Sequence, residues 1–153
     1  MLVLIGLVAT AGSQVGQLEL LMAGNTESQN DALQQSLAAV DAILDDPENN
    51  MPVVGDLDYV ICRVGDTCNA DILNLASSTP QLPNQQYFES YTVTRVAPLE
   101  TTIPVMDDDM ASSGVAYRAA NFEVHVTYDN TEGGLGRSSV TQGVLYLLAS
   151  PGQ

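Results

Sequence analysis

Residues 1–47 read MLVLIGLVATAGSQVGQLELLMAGNTESQNDALQQSLAAVDAILDDP, and the fold turns on how far one helix runs through them. No proline appears before Pro47. Leu33, Leu37, Val40 and Leu44 fall at i, i+4, i+7 and i+11, which is one helical stripe. Ala32, Ala38, Ala39 and Ala42 fill in around it. Asp45-Asp46-Pro47 is a stop, because proline disfavours helical geometry in the residue before it. The spacing predicts one continuous helix over about residues 2–45, with Leu33, Leu37, Val40 and Leu44 along one face. At about 1.5 Å per residue such a helix is about 65 Å long. That exceeds what a domain of 153 residues can cover. Half of it must protrude and bury its apolar surface against something else.

The first eighteen residues carry no charge, and Glu19 is the first ionisable side chain. Leu2, Leu4, Ile5, Leu7, Val8, Val15 and Leu18 make this head strongly apolar. A membrane span takes about 20 such residues, more than the head supplies by itself. Four readings stand side by side: a membrane or assembly helix, a cleaved secretory signal, a core helix, and a segment whose beginning lies upstream. Ala9-Thr10-Ala11 resembles a cleavage site, but no positive n-region precedes it. Gly6, Gly12 and Gly16 would each cost an isolated helix about 1 kcal/mol against alanine. Small residues do allow close helix packing in a membrane or a helical assembly.

Past Pro47 the pattern turns to strands. Leu57–Val64 is rich in β formers, Asn69–Ser77 could form a short helix, and Ser77–Asn84 reads as loop. Tyr87–Val96 reads as a strand and Pro98–Gly114, with Asp107-Asp108-Asp109, as a long exposed loop. In Tyr117–Tyr128 the side chains alternate: Phe122, Val124, Val126 and Tyr128 on one face, Glu123, His125 and Thr127 on the other. Gly133-Gly134-Leu135-Gly136 is the turn and Ser138–Leu148 the return strand. The expected fold is α+β: one long helix, then an antiparallel β-sheet of about four strands.

Charge narrows the function. Nineteen acidic residues face four basic ones, all arginine (Arg63, Arg95, Arg118, Arg137), for a net charge of −15. No basic face exists to grip a phosphate backbone, so nucleic acid is excluded as a partner. Peripheral attachment to an anionic membrane through a polybasic patch fails for the same reason. Insertion through the apolar head does not. With 45% apolar residues the chain is too hydrophobic to be disordered. An acid-rich surface without lysine suggests a saline setting, where ions screen its self-repulsion.

Little of this is catalytic chemistry. Cys62 and Cys68 enclose five residues, a spacing that fits neither a redox C-x-x-C nor a zinc knuckle. They read as a structural disulfide closed over Gly65-Asp66, with two free buried thiols as the alternative. His125, the only histidine, sits at a polar-face position without a G-x-S-x-G nucleophile in the chain. Asp107–Asp109 and Asp129–Gly133 match no calcium loop and read as solvated. No cofactor motif is present, and no enzyme activity is expected.

Leu18-Glu19-Leu20-Leu21-Met22-Ala23-Gly24-Asn25, closing an apolar helix, resembles the Leu-Glu-x-x-Met-Ala-Gly-Asn signature of PilX-like minor pilins of the type IV pilus. Its matching positions are Glu19, Met22, Ala23, Gly24 and Asn25. The alanine-rich run through Ala32, Ala38 and Ala39 and the closing hairpin Asn121–Val126 and Ser139–Val144 are similar to that family too. Thr26-Glu27-Ser28-Gln29 and Leu37 depart from its charged positions. The resemblance implies a type IV pilin fold, with residues 1–24 as the membrane and filament-core half of the helix, 25–153 as a periplasmic head domain, and Leu33, Leu37, Val40 and Leu44 facing the sheet. It places residue 1 inside a mature helix whose leader and methylated first residue lie upstream. It implies a structural subunit of a bacterial type IV pilus, of the assembly-priming or tip-proximal kind. The partners would be other pilin subunits, the inner membrane before assembly, and a tip adhesin; the destination is the extracellular fimbrium. A pseudopilin of a type II secretion system and an exported adhesin-like binding module are the alternatives.

Overall fold

The computed structural model describes residues 2–75, 82–102 and 117–149, and their side chains except those of residues 2–13, 15, 102, 117 and 149. The first helix, α1, runs unbroken over Leu2–Leu44, and a single turn, α2, covers Pro47–Asn50. The boundary is where Pro47 requires it. Asn50 Nδ2 donates to the Ile43 carbonyl at 3.0 Å, satisfying one of the acceptors left open at the helix end. Asn49 Nδ2 donates to Asp46 Oδ2 at 2.8 Å in the same connection.

Six strands follow among the described residues: β1 Val60–Arg63, β2 Ala70–Leu73, β3 Phe88–Arg95, β4 Thr101–Thr102, β5 Tyr117–Asp129 and β6 Arg137–Ala149. They form one sheet. β5 is its spine. β6 pairs with β5 along its whole length, from Tyr117↔Ala149 to Asp129↔Arg137, without a bulge. The other edge of β5 is shared: β3 takes Phe122 to Tyr128, and β4 resumes the pairing at Arg118 and Ala119. Between them the chain leaves the ladder around the cis Ala97–Pro98 bond, and Asn121 Nδ2 donates to the Pro98 carbonyl there. The sheet therefore has five rows, β2-β1-β3/β4-β5-β6.

It is a mixed sheet, not the antiparallel one expected, because β2 runs parallel to β1. The short helix expected at Asn69–Ser77 is replaced by this strand over Ala70–Leu73. Parallel neighbours ordinarily need a crossover of about a dozen residues or more. Here residues 64–69 suffice, because the Cys62–Cys68 disulfide ties the returning chain back to β1. Asn69 completes the return: its Oδ1 accepts from the Val60 amide at 2.9 Å, and its own amide donates to the Val60 carbonyl at 3.2 Å. The Pro98–Gly114 loop gains the short strand β4, and residues 103–116, with Asp107–Asp109, lie outside the described residues.

The core lies between α1 and one face of the sheet. Tyr91 and Val93 of β3 and Phe122, Val124, Val126 and Tyr128 of β5 are all buried there. The helix meets them through Ala32, Ser36, Ala39, Val40 and Ile43, each fully buried. This corrects half of the expected seam. Val40 is in it and Leu44 packs at its side, but Leu33 and Leu37 remain 42% and 41% exposed. The period was right and the phase was off by one residue. Alanine and serine at the centre let the helix backbone come close to the sheet, which leaves the bulkier leucines on the flank. The Ser36 hydroxyl tolerates burial because it donates to the Ala32 carbonyl at 3.0 Å.

Candidate functional site: the uncovered part of the helix and the turn astride it

From Gln17 to Asn30 every residue of α1 is exposed except the half-buried Ser28. Leu18, Leu20, Leu21 and Met22 show 60%, 75%, 71% and 71% of their surface. With about 3.6 residues per turn, Leu18, Leu21 and Met22 share one face and Leu20 stands on the opposite side. A single docking groove would cover the three-residue stripe and leave Leu20 bare. Apolar side chains on two opposite faces suit a helix with neighbours on more than one side, other helices or lipid. Glu19, Ala23, Gly24 and Asn25 lie exposed on the same stretch. Gly16 and Gly24 face open space, with nothing within 4 Å of where a Cβ would stand. The hydroxyls here need no outside partner: Thr26 Oγ1 donates to the Met22 carbonyl and Ser28 Oγ to the Gly24 carbonyl, both at 2.9 Å. The side chains of Leu2, Leu4, Ile5, Leu7, Val8 and Val15 lie outside those described. Among the described residues no helix is long and apolar enough to cross a membrane.

Where the helix leaves the sheet, the β5–β6 turn sits on it. Asn130 organises this turn: its carbonyl accepts the Gly133 and Leu135 amides at 3.2 and 3.0 Å, and its amide donates to the Gly136 carbonyl at 3.3 Å. Gly134, at φ +76°, supplies the left-handed step. Asp129 Oδ1 accepts from the Thr131 amide at 3.0 Å and its hydroxyl at 2.7 Å. These two bonds, with Arg137 nearby, hold the Asp129 carboxyl below its ordinary pKa. Arg137 also pairs with Glu89 at 2.8 Å, linking the turn to β3. Gly136 lies against the helix backbone so closely that a Cβ there would stand 2.8 Å from the Ser28 carbonyl oxygen. A groove opens on each side of this contact, with Leu135 in both walls. One, of about 960 Å³, carries Glu27 and Asp31; the other, of about 670 Å³, carries Leu20, Leu21 and Arg137. In the sequence this turn reads as a plain connection. The signal was an apolar Leu135 among three glycines, too small and too bare for a solvated loop.

The remaining candidates lie apart from this site. His125 stands on the outer face of the sheet among hydroxyls: Nδ1 is 2.9 Å from Thr141 Oγ1, and Nε2 is 3.3 Å from Thr127 Oγ1 and 3.5 Å from Ser139 Oγ. No carboxylate is in that set to orient the ring for base catalysis. Cys62 and Cys68 are joined, with Cα atoms 6.3 Å apart. Arg63 ties that loop down, donating to the Phe88 carbonyl at 3.0 Å and to Asp66 at 3.2 Å. Among the described residues no group of three or more His, Cys, Asp or Glu side chains could hold a metal ion. Burial raises the Tyr91 phenol above its ordinary pKa, partly offset by a backbone hydrogen bond with Leu75. No family model, no curated protein and no solved structure matches the chain.

Proposed function

We propose that the protein is a structural subunit of a type IV pilus, a minor pilin that enters the filament through α1 and helps prime its assembly. The observation that carries this reading is the exposure of Leu18, Leu20, Leu21 and Met22, on opposite faces of a helix whose next turns bury one face, from Ala32 to Ile43, against the sheet. One rigid rod thus has a covered half and an uncovered half. The uncovered half waits in the inner membrane, with the sheet domain in the periplasm, and then packs among the helices of neighbouring subunits. Gly16 and Gly24 give those neighbours close access. The resemblance of Leu18–Asn25 to the PilX-like signature lies on this same stretch. The Cys62–Cys68 bridge suits an oxidising compartment outside the cytoplasm. The role is structural rather than catalytic.

A clean deletion in the source bacterium is expected to strip most surface pili, with recovery on complementation. Full piliation in the deletion strain overturns the reading. A deletion that spares pili but blocks protein export points instead to a secretion pseudopilus, which would use the same uncovered helix in a shorter filament.

A further inference from the structure

β6 is the outermost row of the sheet, and among the described residues no strand pairs with its outer edge. Such edges are normally guarded by charge, proline, a bulge or shortness. β6 has none of these beyond its first residue. It is 13 residues long, its pairing with β5 is free of bulges, and residues 138–149 carry no charge and no proline. That neutrality stands out in a chain of net charge −15. At the strand's far end Leu145 and Leu147 stand 57% and 60% exposed on the outer face, the most exposed leucines of the sheet.

We infer that β6 pairs edge to edge with β6 of a second copy of this chain, antiparallel and about a two-fold axis through Tyr146, to make one continuous sheet. In that register Leu145 of each copy lies opposite Leu147 of the other. Val144 lies opposite Leu148, and the two Tyr146 side chains meet on the helix side. Both faces are then matched apolar to apolar, and the backbone groups of the open edge are satisfied by the partner edge. The contact is isologous and closes at two copies. Charge selects the occupant. A foreign partner of so acidic a protein would be basic, and an uncharged strand offers it nothing to grip. A second copy is repelled almost everywhere except along an uncharged strand. The opposite sheet edge does not compete: β2 has four residues, and Asp71 among them is exposed. Antiparallel pairing also keeps the two Arg137 side chains at opposite ends, outside the paired stretch. This contact is independent of the helix-mediated assembly proposed above.

The test is amide hydrogen exchange on the full chain in mild detergent, over a range of protein and salt concentrations. Protection at residues 143–149 is expected to rise with protein concentration, on the order of tenfold or more, and to rise further with added salt as like charges are screened. The double variant Leu145→Lys/Leu147→Lys should lose that protection while its thermal unfolding profile is kept, since both side chains are exposed. Exchange at 143–149 that ignores concentration overturns the inference, even if the protein associates through its helix. So does protection that survives in the lysine variant, or that weakens with salt.

Discussion

The two described parts of α1 obey the same helical geometry and solve opposite problems. Below Asp31 the helix is a seam: Ala32, Ser36 and Ala39 are fully buried, while Leu33 and Leu37 stand aside, partly exposed. Above it, three leucines and a methionine stand 60–75% exposed on turns that the sheet does not cover. Hydrophobicity alone does not tell the two apart. What differs is arrangement. The seam puts small residues at one phase of the helix, so that a sheet can approach. The upper part sets large apolar residues on opposite faces, Leu18, Leu21 and Met22 on one and Leu20 on the other, so that no single neighbour could cover them all. The lower half is finished within one chain, whereas the upper half remains incomplete until something surrounds it.

The sharpest way to break this contrast is to shorten one apolar side chain in each part. Ile43→Ala opens a cavity in a sealed core and should cost about 2–5 kcal/mol in chemical denaturation. Leu21→Ala, 71% exposed, should stay within about 0.5 kcal/mol. Equal losses would mean that the upper helix is covered within the monomer, and the contrast would collapse.

A finer cut uses glycine. Gly136→Ala drives a methyl group toward the Ser28 carbonyl and should cost about 1–3 kcal/mol, loosening the turn from the helix. Gly24→Ala, in open space on the same helix, should instead add up to about 1 kcal/mol of helix stability. Under the filament reading the second variant has a further signature. The monomer melts later, yet incorporation into pili falls, because the added methyl occupies space a neighbouring helix needs. Normal incorporation together with a raised melting temperature would leave the glycine without an assembly role.

The long helix, its end at Pro47, the disulfide and the closing hairpin were all legible in the sequence, because each has a local cause: proline, a short cysteine loop, alternation about a glycine turn. The seam was legible in period but not in phase. Leucine draws the eye to Leu33 and Leu37, and only the sheet's approach decides that alanines occupy the centre. β2 was not legible, since Ala70–Leu73 becomes a strand through a bridge and a backbone ladder that no local propensity encodes. Nor was the seating of Gly136 on Ser28, which joins residues more than a hundred positions apart. The apolar character of Leu18–Met22 could be read from composition. That the stretch remains exposed could not, because that depends on where the sheet ends.

The smallest effect concerns the turn that marks the border between the two parts. The folded protein holds the Asp129 carboxyl below its ordinary value through the Thr131 amide, the Thr131 hydroxyl and Arg137, in that order. The folded state therefore takes up this proton less readily than the unfolded chain. The resulting stability is complete above the ordinary carboxyl pKa of about 4 and is lost as pH falls through the lower folded value. Asp129→Asn keeps an acceptor oxygen for Thr131 but removes the charge. The variant should melt slightly below the parent near neutral pH, and the gap should close as the pH drops below about 4. Because Gly136 rests on Ser28 only while the turn holds its shape, amide exchange at Ser28 and Gln29 should quicken over that same acid range in the parent. If those amides stay indifferent while the melting gap closes, the carboxylate stabilises the hairpin alone, and the border between the covered and uncovered helix is set by the sheet rather than by the turn.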